Sequence, residues 1–413
     1  MSPTSPGLEG QTPRVLRILL LENVHPSAAE ILRAQGHAVE ELKTALKESE
    51  LAARLKEVDV LGIRSKTQVR GAVLEAAPHL LAIGAFCIGT NQIELDAAKR
   101  AGTVVFNAPF SNTRSVAEMV IAEIIMLARQ IGDRSREVHE GNWKKAANGC
   151  FEVRGKTLGI VGYGHIGSQV GVLAEAMGLR VLSYDIRTTM AIGNAQAQNS
   201  LDELLAQSDF VTLHVPETPQ TQNMIGEREL SIMKRGSYLL NASRGTVLDV
   251  PALAKTLKSG HIAGAAVDVY PEEPESNSPG FSSPLQGLPN VILTPHVGGS
   301  TEEAQAAIGK EVATSLSRFL QTGTTIGAVN FPPCELPLVP STHRIVNVHR
   351  NVPGVLRDIN RIVSERNANI HSQLLSTDAS VGYLIMDLDQ NVAAEVARDI
   401  GALETNIRTR VIA

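Results

Sequence analysis

From about residue 14 onward, the chain alternates short apolar runs with longer stretches whose apolar positions recur at helical spacing. The apolar runs that predict strands in the first part of the chain are "RILLLENV", "DVLGIRSK", "LLAIGAFCIG" and "TVVFNAP". Helices are predicted between them in "PSAAEILRAQG", "GAVLEAAPH" and "LDAAKRAG". Such alternation is typical of βαβ units, which build a parallel sheet covered by helices. The first part of the chain is therefore predicted to be an α/β domain.

A second domain of the same kind follows a long apolar helix, "SVAEMVIAEIIMLARQ". Ser115, with Glu118 three residues later, predicts a capping box at the start of that helix. Strands are then predicted in "TLGIVG", "RVLSYD", "DFVTLHV", "SYLLNAS", "AGAAVDV" and "NVILTPH". Six strands with crossover helices predict a doubly wound sheet. The helix in "TEEAQAAIGKEVATSLSRFLQTG" is expected to return to the first domain.

A proline-rich stretch, "VNFPPCELPLVPST", separates these elements from the C-terminal part of the chain. Beyond it the pattern predicts strand, helix, strand, strand, helix and strand. This βαββαβ order is that of a ferredoxin-like domain. The predicted boundaries are a disordered extension at 1–13, a first α/β domain at 14–111 and 300–332, a second α/β domain at 112–299, a linker at 333–342 and a terminal domain at 343–413.

The composition narrows the possible functions mainly by exclusion. The chain has 413 residues and a formal net charge of −5, so it lacks the positive excess of proteins that bind nucleic acid or anionic membranes. Its three cysteines, Cys87, Cys150 and Cys334, suit neither a disulfide framework nor a zinc site. No apolar run approaches the roughly 18 residues of a membrane span, and "VLRILLLENV" is too short for a signal peptide. We expect a soluble cytoplasmic protein without a metal.

The clearest nucleotide-binding signal is "GIVGYGHIG", which follows a predicted strand and opens a predicted helix. It places Gly162, Gly164 and Gly167 in the spacing of a dinucleotide-binding turn. Asp185 ends the next strand, where an acidic residue meets the ribose hydroxyls. The acid favours NAD over NADP, although Arg187 lies nearby. The alternative interpretation is a structural turn followed by a surface aspartate.

Three later strands of the same domain carry chemically active residues at their carboxyl ends, where open α/β sheets bind ligands. Arg244 follows the fourth strand, Asp268 the fifth, with Glu272 and Glu273 in the next loop, and His296 the sixth. An arginine can hold a carboxylate and polarise its carbonyl, and a histidine can exchange a hydroxyl proton. Each residue taken alone has a structural explanation. Their joint placement favours 2-hydroxy-acid oxidoreduction beside a nicotinamide.

The motifs "GYGHIG", "NASRGTVLD", "GAAVDVYPEEP" and "LTPHVGGST" resemble the D-2-hydroxyacid dehydrogenase family. With "RSKT", "GAFCIGTNQIELDAA" and "FNAPFSNTRSVAE", the chain is similar to the members that oxidise 3-phospho-D-glycerate and carry a C-terminal ACT domain. The resemblance implies a flavodoxin-like substrate domain, a Rossmann NAD domain and a ferredoxin-like ACT domain. It implies catalytic roles for Arg244, Glu273 and His296. The implied NAD contacts are Gly162, Gly164, His165, Ile166, Gly167, Asp185, Ala242, Ser243, Arg244, Asp268, His296, Val297, Gly298 and Gly299.

The same resemblance implies residues that bind the substrate. Arg64, Ser65 and Lys66 in "GIRSKT" are expected to hold its phosphate, whereas the sequence alone favours two solvated charges. Lys66 stands where an arginine is common in close relatives. The ammonium group of lysine is a point charge without the bidentate geometry of a guanidinium, so we expect phosphate binding with an altered affinity. The other implied substrate contacts are Ser111, Asn112, Thr113 and Lys145. The lone tryptophan, Trp143, is implied to lie in a contact between subunits.

In the terminal domain, "NVPGVL" resembles the ACT-domain loop, and L-serine is the implied effector. Its implied ligands are His349, Asn351 and Asn369, at an interface between two ACT domains of a homotetramer. Close relatives often enter this domain through a Gly-Gly hinge and a basic pair. Here the stretch is "LVPSTHRI". Its Pro340 predicts a stiffer hinge, which would weaken the coupling between serine binding and catalysis. A purely structural role is the alternative for this domain.

The implied reaction is the NAD-dependent oxidation of 3-phospho-D-glycerate to 3-phosphooxypyruvate, which opens the phosphorylated route to L-serine. Closure of the two α/β domains on the substrate is expected to expel water. Two other functions stay open. The same site is suited to reduce hydroxypyruvate or 2-oxoglutarate, because Arg64 and Lys66 can accept a second carboxylate. A non-catalytic NAD-sensing binding protein on the same fold is the other alternative.

Overall fold

A computed structural model describes residues 14–187, 190–274 and 279–412. The predicted disordered extension at 1–13 lies outside the described residues. The chain divides into two compact units. The first contains the residues up to Ser111 and those from Gln305 onward, and the second contains Asn112–Ala304. No helix in the described ranges is long and apolar enough to cross a membrane.

The first α/β domain contains a five-stranded parallel sheet in the order β2-β1-β3-β4-β5. This order is that of flavodoxin-like folds and confirms the predicted class. Strand β2 and helix α2 were not predicted, because β2 is a largely exposed edge strand with two glutamates. The elements are β1 (Arg17–Leu20), α1 (Pro26–Ala34), β2 (Ala38–Glu41), α2 (Glu48–Leu55), β3 (Val60–Ile63), α3 (Gly71–Glu75), β4 (Ala82–Ala85), α4 (Leu95–Arg100) and β5 (Val104–Asn107).

The second α/β domain contains a seven-stranded parallel sheet in the order β12-β11-β10-β9-β6-β7-β8. Six of these strands are those predicted, and the seventh, β8, has only two residues. The order confirms the predicted Rossmann arrangement. The elements are α5 (Thr113–Arg129), α6 (Ile131–His139), β6 (Thr157–Val161), α7 (His165–Ala176), β7 (Arg180–Tyr184), β8 (Gln196–Ala197), α8 (Leu201–Gln207), β9 (Phe210–Leu213), α9 (Glu227–Ile232), β10 (Ser237–Asn241), a 3-10 turn (Gly245–Val247), α10 (Val250–Lys258), β11 (Ile262–Val267) and β12 (Val291–Leu293).

The predicted capping box at Ser115 and Glu118 is wrong. Helix α5 begins earlier, at Thr113, with Asn112 at its N-cap position. Ser115 lies inside the first turn, where its hydroxyl is 2.8 Å from the hydroxyl of Thr301. Glu118 accepts a hydrogen bond from Arg114, four residues before it, instead of capping the helix.

The terminal domain has the predicted βαββαβ order and an antiparallel sheet, β14-β15-β13-β16. This is the ferredoxin-like topology. Helix α11 (Glu302–Thr322) leads back from the second unit into the first. The terminal elements are β13 (Thr342–Arg350), α12 (Val355–Glu365), β14 (Ile370–Thr377), β15 (Val381–Asp389), α13 (Ala393–Gly401) and β16 (Asn406–Ile412).

The terminal sheet and the first α/β domain share one hydrophobic core. Val348 and Tyr383 of the sheet belong to the same buried cluster as Val104 of β5 and Phe319 of α11. Around this core, the guanidinium of Arg408 donates to the backbone carbonyls of Leu80, Pro78 and Ala101 at 2.6–2.9 Å. The terminal domain is therefore packed into the first unit and not merely tethered to it.

Candidate active site

Three neighbouring strands of the second α/β domain, β10, β11 and β12, run parallel, so their carboxyl ends meet at one edge of the sheet. Arg244 follows β10, Asp268 directly follows β11, and His296 follows β12. The structure thus brings the predicted arginine and histidine to the same edge. Glu273 reaches that edge from the loop after β11.

His296 and Glu273 form a hydrogen-bonded pair. The distance between Nδ1 of His296 and Oε2 of Glu273 is 2.8 Å, and half of the histidine side chain is exposed. This hydrogen bond raises the pKa of His296 against the opposing effect of burial. Burial alone would raise the pKa of Glu273, but the hydrogen bonds from His296 and from the Tyr270 N–H lower it overall. The carboxylate of Glu273 therefore stays ionised. Because this carboxylate engages Nδ1 of His296, the other ring nitrogen, Nε2, is the one for proton exchange.

Tyr270 fixes the loop that carries Glu273. Its backbone N–H donates to Oε1 of Glu273 at 3.1 Å. Its hydroxyl shares its one proton between the carbonyls of Val267 and Thr294, at 3.0 and 3.1 Å, and so joins the ends of β11 and β12. Burial raises the pKa of Tyr270 to about 12, so the phenol remains a donor at neutral pH.

Asp268 holds the turn that contains His296. Its side chain is buried, and its carboxylate accepts hydrogen bonds from the Thr294 hydroxyl and from the backbone N–H groups of Val297 and Gly298, at 2.6–2.9 Å. The His296 N–H donates to the Asp268 carbonyl at 2.8 Å, and His296 has a positive φ of 55°. Asp268 therefore positions the turn, and its implied contact with NAD stays a prediction.

Asn241 orders the segment that leads to Arg244. Its buried side chain accepts hydrogen bonds from the N–H and the hydroxyl of Ser243 and donates to the Arg244 carbonyl at 3.0 Å. Ala242 and Arg244 are half-buried, and one guanidinium nitrogen of Arg244 donates to the Ser243 carbonyl. Because one end of the guanidinium is fixed, its orientation at the sheet edge is set before any ligand binds.

The glycine turn after β6 has the shape of a dinucleotide site. Gly162 has a φ of 90°, and a side chain there would lie 2.4 Å from the carbonyl oxygen of His214. A side chain at Gly167 would lie 2.1 Å from the carbonyl oxygen of Gly162, so this glycine allows helix α7 to pack on the strand. Gly164 instead faces open space. It leaves room for a pyrophosphate at the N-terminus of α7, which begins with His165 and Ile166.

Asp185 lies beside this turn at the end of β7. Its two carboxylate oxygens accept hydrogen bonds from the backbone N–H groups of Tyr163 and Arg187, at 2.8 and 2.9 Å. These bonds orient the carboxylate and leave acceptor capacity for ribose hydroxyls. The turn at residues 296–299, which follows β12, is a separate part of the site. Its Gly299 lies so close to Asn112 that an added Cβ atom would be 2.2 Å from the side-chain nitrogen of Asn112.

The other implied substrate residues are distributed over both units. Arg64 is half-buried and Ser65 and Lys66 are exposed, directly after β3 in the first unit. Ser111, the last residue before the second unit, hydrogen-bonds to the carboxylate of Glu311. Asn112 and Thr113 open helix α5, and the side-chain oxygen of Asn112 is buried without a hydrogen-bond partner.

Lys145 and Trp143 lie together in the exposed segment that follows α6. The side chain of Trp143 is 84% exposed in the single chain. Its implied position in a contact between subunits stays a prediction.

The implied serine ligands are not brought together within one chain. His349 is buried against Gly382 of β15, and burial lowers its pKa. Asn351 lies just beyond β13 and donates to the Asp378 carbonyl at 2.6 Å. Asn369 precedes β14 at the other end of the sheet, since Ile370 pairs with Leu388 whereas His349 pairs with Gly382.

Sequence reasoning missed several residues that shape these sites. Asn241, Tyr270 and Thr294 form the hydrogen bonds described above, and Glu123 is buried in α5 with one side-chain oxygen unpartnered. Burial, with the negative charge of Asp268 adding to it, raises the pKa of Glu123 to about 8. A signal was present for Asn241 and Glu123, because each is a lone polar residue in an otherwise apolar run.

Comparison with known families agrees with this geometry. Residues 121–298 match the D-isomer specific 2-hydroxyacid dehydrogenase, NAD binding domain, so this part of the chain is an NAD-binding domain. Residues 345–408 match the AHAS small subunit-like ACT domain. These ranges cover the strand ends and glycine turn of the second α/β domain and most of the terminal sheet.

Three individual proteins show how far the similarity extends. D-3-phosphoglycerate dehydrogenase of Dictyostelium discoideum is 54% identical over 397 residues, covering 96% of this chain and 97% of that protein. D-3-phosphoglycerate dehydrogenase of Escherichia coli K12 is 50% identical, covering 96% and 97%. The structure of D-lactate dehydrogenase from Aquifex aeolicus, complexed with NAD and lactic acid, is 28% identical with a TM-score of 0.66 and covers 76% of this chain and 99% of its own.

Proposed function

Because the chain belongs to the D-isomer specific 2-hydroxyacid dehydrogenase family, we propose that it oxidises 3-phospho-D-glycerate to 3-phosphooxypyruvate with NAD, the first step of the phosphorylated route to L-serine. The observation that carries this proposal is the pair of His296 and Glu273 at the sheet edge that also bears Arg244. Full-length similarity to D-3-phosphoglycerate dehydrogenases supplies the substrate class.

His296 acts as the general base in oxidation and as the general acid in reduction. Its Nδ1 is hydrogen-bonded to Glu273, so its Nε2 takes the proton from the C2 hydroxyl of the substrate. The ionised Glu273 stabilises the imidazolium that results. Because the Glu273 loop is fixed through Tyr270, the imidazole does not need to reorient when the proton is transferred.

Arg244 binds the substrate carboxylate and polarises the adjacent C2 oxygen. One of its nitrogens is engaged by the Ser243 carbonyl, and the rest of the planar guanidinium remains for a two-point contact. This contact places C2 beside His296. It also stabilises the negative charge that develops on the oxygen during reduction.

The second α/β domain fits NAD. The open space at Gly164, the N-terminus of α7 and the oriented carboxylate of Asp185 would hold the pyrophosphate and ribose. Bound NAD would supply the acceptor for the hydride that leaves C2. The turn from His296 to Gly299, held by Asp268, would close against the nicotinamide half.

We assign the substrate phosphate to Arg64, Ser65 and Lys66. Both cations lie at the carboxyl end of β3, and their side chains make the loop positive. Lys66 offers a point charge without the bidentate geometry of arginine, so it contributes attraction more than orientation. We propose that residues 14–111 with 300–332 form the substrate domain and that 112–299 form the NAD domain.

The regulatory part of the proposal concerns the terminal domain. The separation of Asn369 from His349 and Asn351 supports an L-serine site shared between two ACT domains, with Asn369 supplied by the second copy. The exposed Trp143 supports a second contact and hence a tetramer. The backbone carbonyl of Asp378 accepts the hydrogen bond from Asn351, and its carboxylate forms a 2.9 Å ion pair with Lys99 of α4. We place the enzyme in the cytoplasm, because its three widely spaced cysteines do not suit the disulfide framework of a secreted protein.

The test is NADH oxidation with 3-phosphohydroxypyruvate, measured with and without L-serine and beside a parallel assay with 2-oxoglutarate. We expect rapid turnover of the phosphorylated substrate that L-serine suppresses. Turnover that L-serine does not inhibit would contradict the proposed regulation and leave the proposed reaction standing. Turnover of 2-oxoglutarate only would assign the two cations to a second carboxylate, and no turnover of either substrate would contradict the enzymatic proposal.

A further inference from the structure

A buried carboxylate, Glu22, lies beneath the loop that carries Arg64, Ser65 and Lys66. Glu22 follows β1, the neighbour of β3 in the sheet, and only 8% of it is exposed. Its Oε2 accepts a hydrogen bond from the Lys66 N–H at 3.0 Å, and its Oε1 accepts one from the Thr67 N–H at 2.8 Å. One carboxylate thus binds two successive amides of the loop.

The loop is held from its other side as well. The buried side chain of Gln92 donates to the Arg64 carbonyl at 2.7 Å. A backbone carbonyl at one end and two amides at the other are therefore fixed by side chains from separate segments. These contacts use only backbone groups of the loop, so they do not engage the side chains of Arg64, Ser65 and Lys66.

The backbone at Glu22 is itself unusual. Glu22 has a φ of 63° and the next residue, Asn23, has a φ of 54°. Two consecutive residues other than glycine in the left-handed region are unfavourable and persist only where surrounding contacts enforce them. Such strain is concentrated at sites where a precise geometry serves function.

We propose that Glu22 is a positioning residue for substrate binding: it fixes the loop so that Arg64 and Lys66 meet the phosphate in a preformed arrangement. This inference rests on the proposed function, because it takes the loop as the phosphate site. Since Glu22 occupies the N–H groups of Lys66 and Thr67, the phosphate is bound by the side chains of the loop instead of those amides.

Charge alone predicts the opposite effect of changing Glu22, which makes the inference testable. A carboxylate near a phosphate repels it, so removing the charge without moving the loop would lower the KM. Glutamine has the same shape, but its amide presents one oxygen and one NH2 group to two N–H donors, so one loop amide loses its acceptor. A rise in KM therefore reports positioning and not electrostatics.

The experiment compares Glu22→Gln with the wild-type enzyme on 3-phosphohydroxypyruvate and on hydroxypyruvate, which lacks the phosphate. We expect the KM for the phosphorylated substrate to rise about tenfold, since a charge-assisted hydrogen bond is lost, with kcat within about twofold. The kcat/KM for hydroxypyruvate should not change. Glu50→Gln is the matched control, because Glu50 also accepts a backbone N–H bond but belongs to helix α2.

An unchanged or lowered KM in Glu22→Gln, or equal losses on both substrates, would overturn the inference. If Glu22→Gln fails to fold, Glu22→Asp decides by the same criteria, because its shorter carboxylate reaches only one amide and should raise the KM severalfold. Arg64→Met and Lys66→Met test the assignment of the phosphate site separately from the role of Glu22. If neither raises the KM of an active enzyme, the phosphate loop is misassigned; if both do and Glu22→Gln does not, only the role of Glu22 is wrong.

Discussion

Two acidic residues of the second α/β domain, Glu273 and Glu123, have pKa values shifted in opposite directions. Glu273 is held ionised by the hydrogen bonds from His296 and Tyr270, despite partial burial. Glu123 lies in the apolar surroundings of α5 and is largely protonated at neutral pH. The first supports an imidazolium, whereas the second avoids placing another negative charge near Asp268.

Glu273→Gln should shift the pH dependence of the reaction to lower pH. The pKa of His296 is raised mainly by its hydrogen bond to Glu273, and a neutral amide supplies much less of that stabilisation. In the proposed mechanism reduction needs the protonated imidazole of His296, so kcat/KM for reduction falls as the pH rises through this pKa. We expect that fall to occur at lower pH in the variant, because the pKa of His296 loses its main raising contribution. An unchanged profile would contradict the role of Glu273.

Glu123→Gln should stabilise the protein increasingly as the pH rises from about 5 to 8. In this range the folded state keeps a proton that the unfolded state releases, so the free energy of unfolding of the wild type falls with pH. Glutamine has no such proton. The difference should grow by up to about 1.4 kcal/mol per pH unit, as measured by denaturation at several pH values. A difference that does not vary with pH would show that Glu123 is ionised in the folded state.

At the scale of elements, the site depends on close approach between loops that follow neighbouring strands. The segment after β10 passes so near the loop of Glu273 that a side chain at Gly245 would lie 1.9 Å from the backbone carbonyl carbon of Tyr270. The glycine is needed for this approach, since its φ is not in the positive region. Arg244 and Glu273 are therefore positioned by a shared contact.

Gly245→Ala should displace the loop that carries Glu273 and lower kcat/KM by at least about tenfold, because small misplacements of catalytic groups are costly. Steady-state kinetics in the reducing direction measure this effect. Gly132→Ala in helix α6 is the control, since an added methyl group there meets nothing within 4 Å. Equal kinetics for the two variants would show that the loop accommodates the methyl group.

Much of this arrangement could be predicted from local sequence signals. Alternating apolar runs indicated both parallel sheets, and the glycine spacing with Asp185 indicated the dinucleotide turn. The strands β2 and β8 were not predicted, because each is too short or too polar to show an alternation of apolar and polar residues. The start of α5 was misplaced because Asn112, Thr113 and Ser115 are all good N-cap residues, and only tertiary contacts decide between them.

The hydrogen bonds that orient the candidate site are mostly long-range, and the sequence alone does not reveal them. Glu22 and Thr67 are 45 positions apart, and Asp268 and Gly298 are 30 apart. A carboxylate that accepts backbone N–H bonds leaves no characteristic motif. The placement of Arg244 and His296 at one sheet edge could therefore be predicted from the strand ends, whereas the residues that position them could not.

At the scale of the whole molecule, the proline-rich linker is anchored on both sides. Arg344 of β13 is almost fully buried and donates to the carbonyls of Leu336 and Pro337 in the linker and of Thr322 at the end of α11. Its other bonds go to both oxygens of the buried Asp387, at 2.7 and 2.8 Å. The predicted stiffness of this hinge thus has a physical basis beyond Pro340.

Arg344→Met should lower the free energy of unfolding by about 3–5 kcal/mol, because it leaves the carboxylate of Asp387 buried without its partner. Replacing both residues, with Arg344→Met and Asp387→Leu, should recover part of that loss. Chemical denaturation of the two variants measures the difference. If the double variant is no more stable than the single one, the linker carbonyls and not the ion pair dominate the contribution of Arg344.

The core shared by the terminal sheet and the first α/β domain limits how this enzyme can be engineered. A detachable regulatory module could be removed by ending the gene after the linker. Here such a truncation would uncover Val104 and Phe319 and remove the guanidinium that caps the carbonyls of Leu80 and Ala101. A form that escapes the proposed inhibition by L-serine is therefore better sought through point substitutions at the proposed effector ligands, with the terminal fold retained as part of the scaffold.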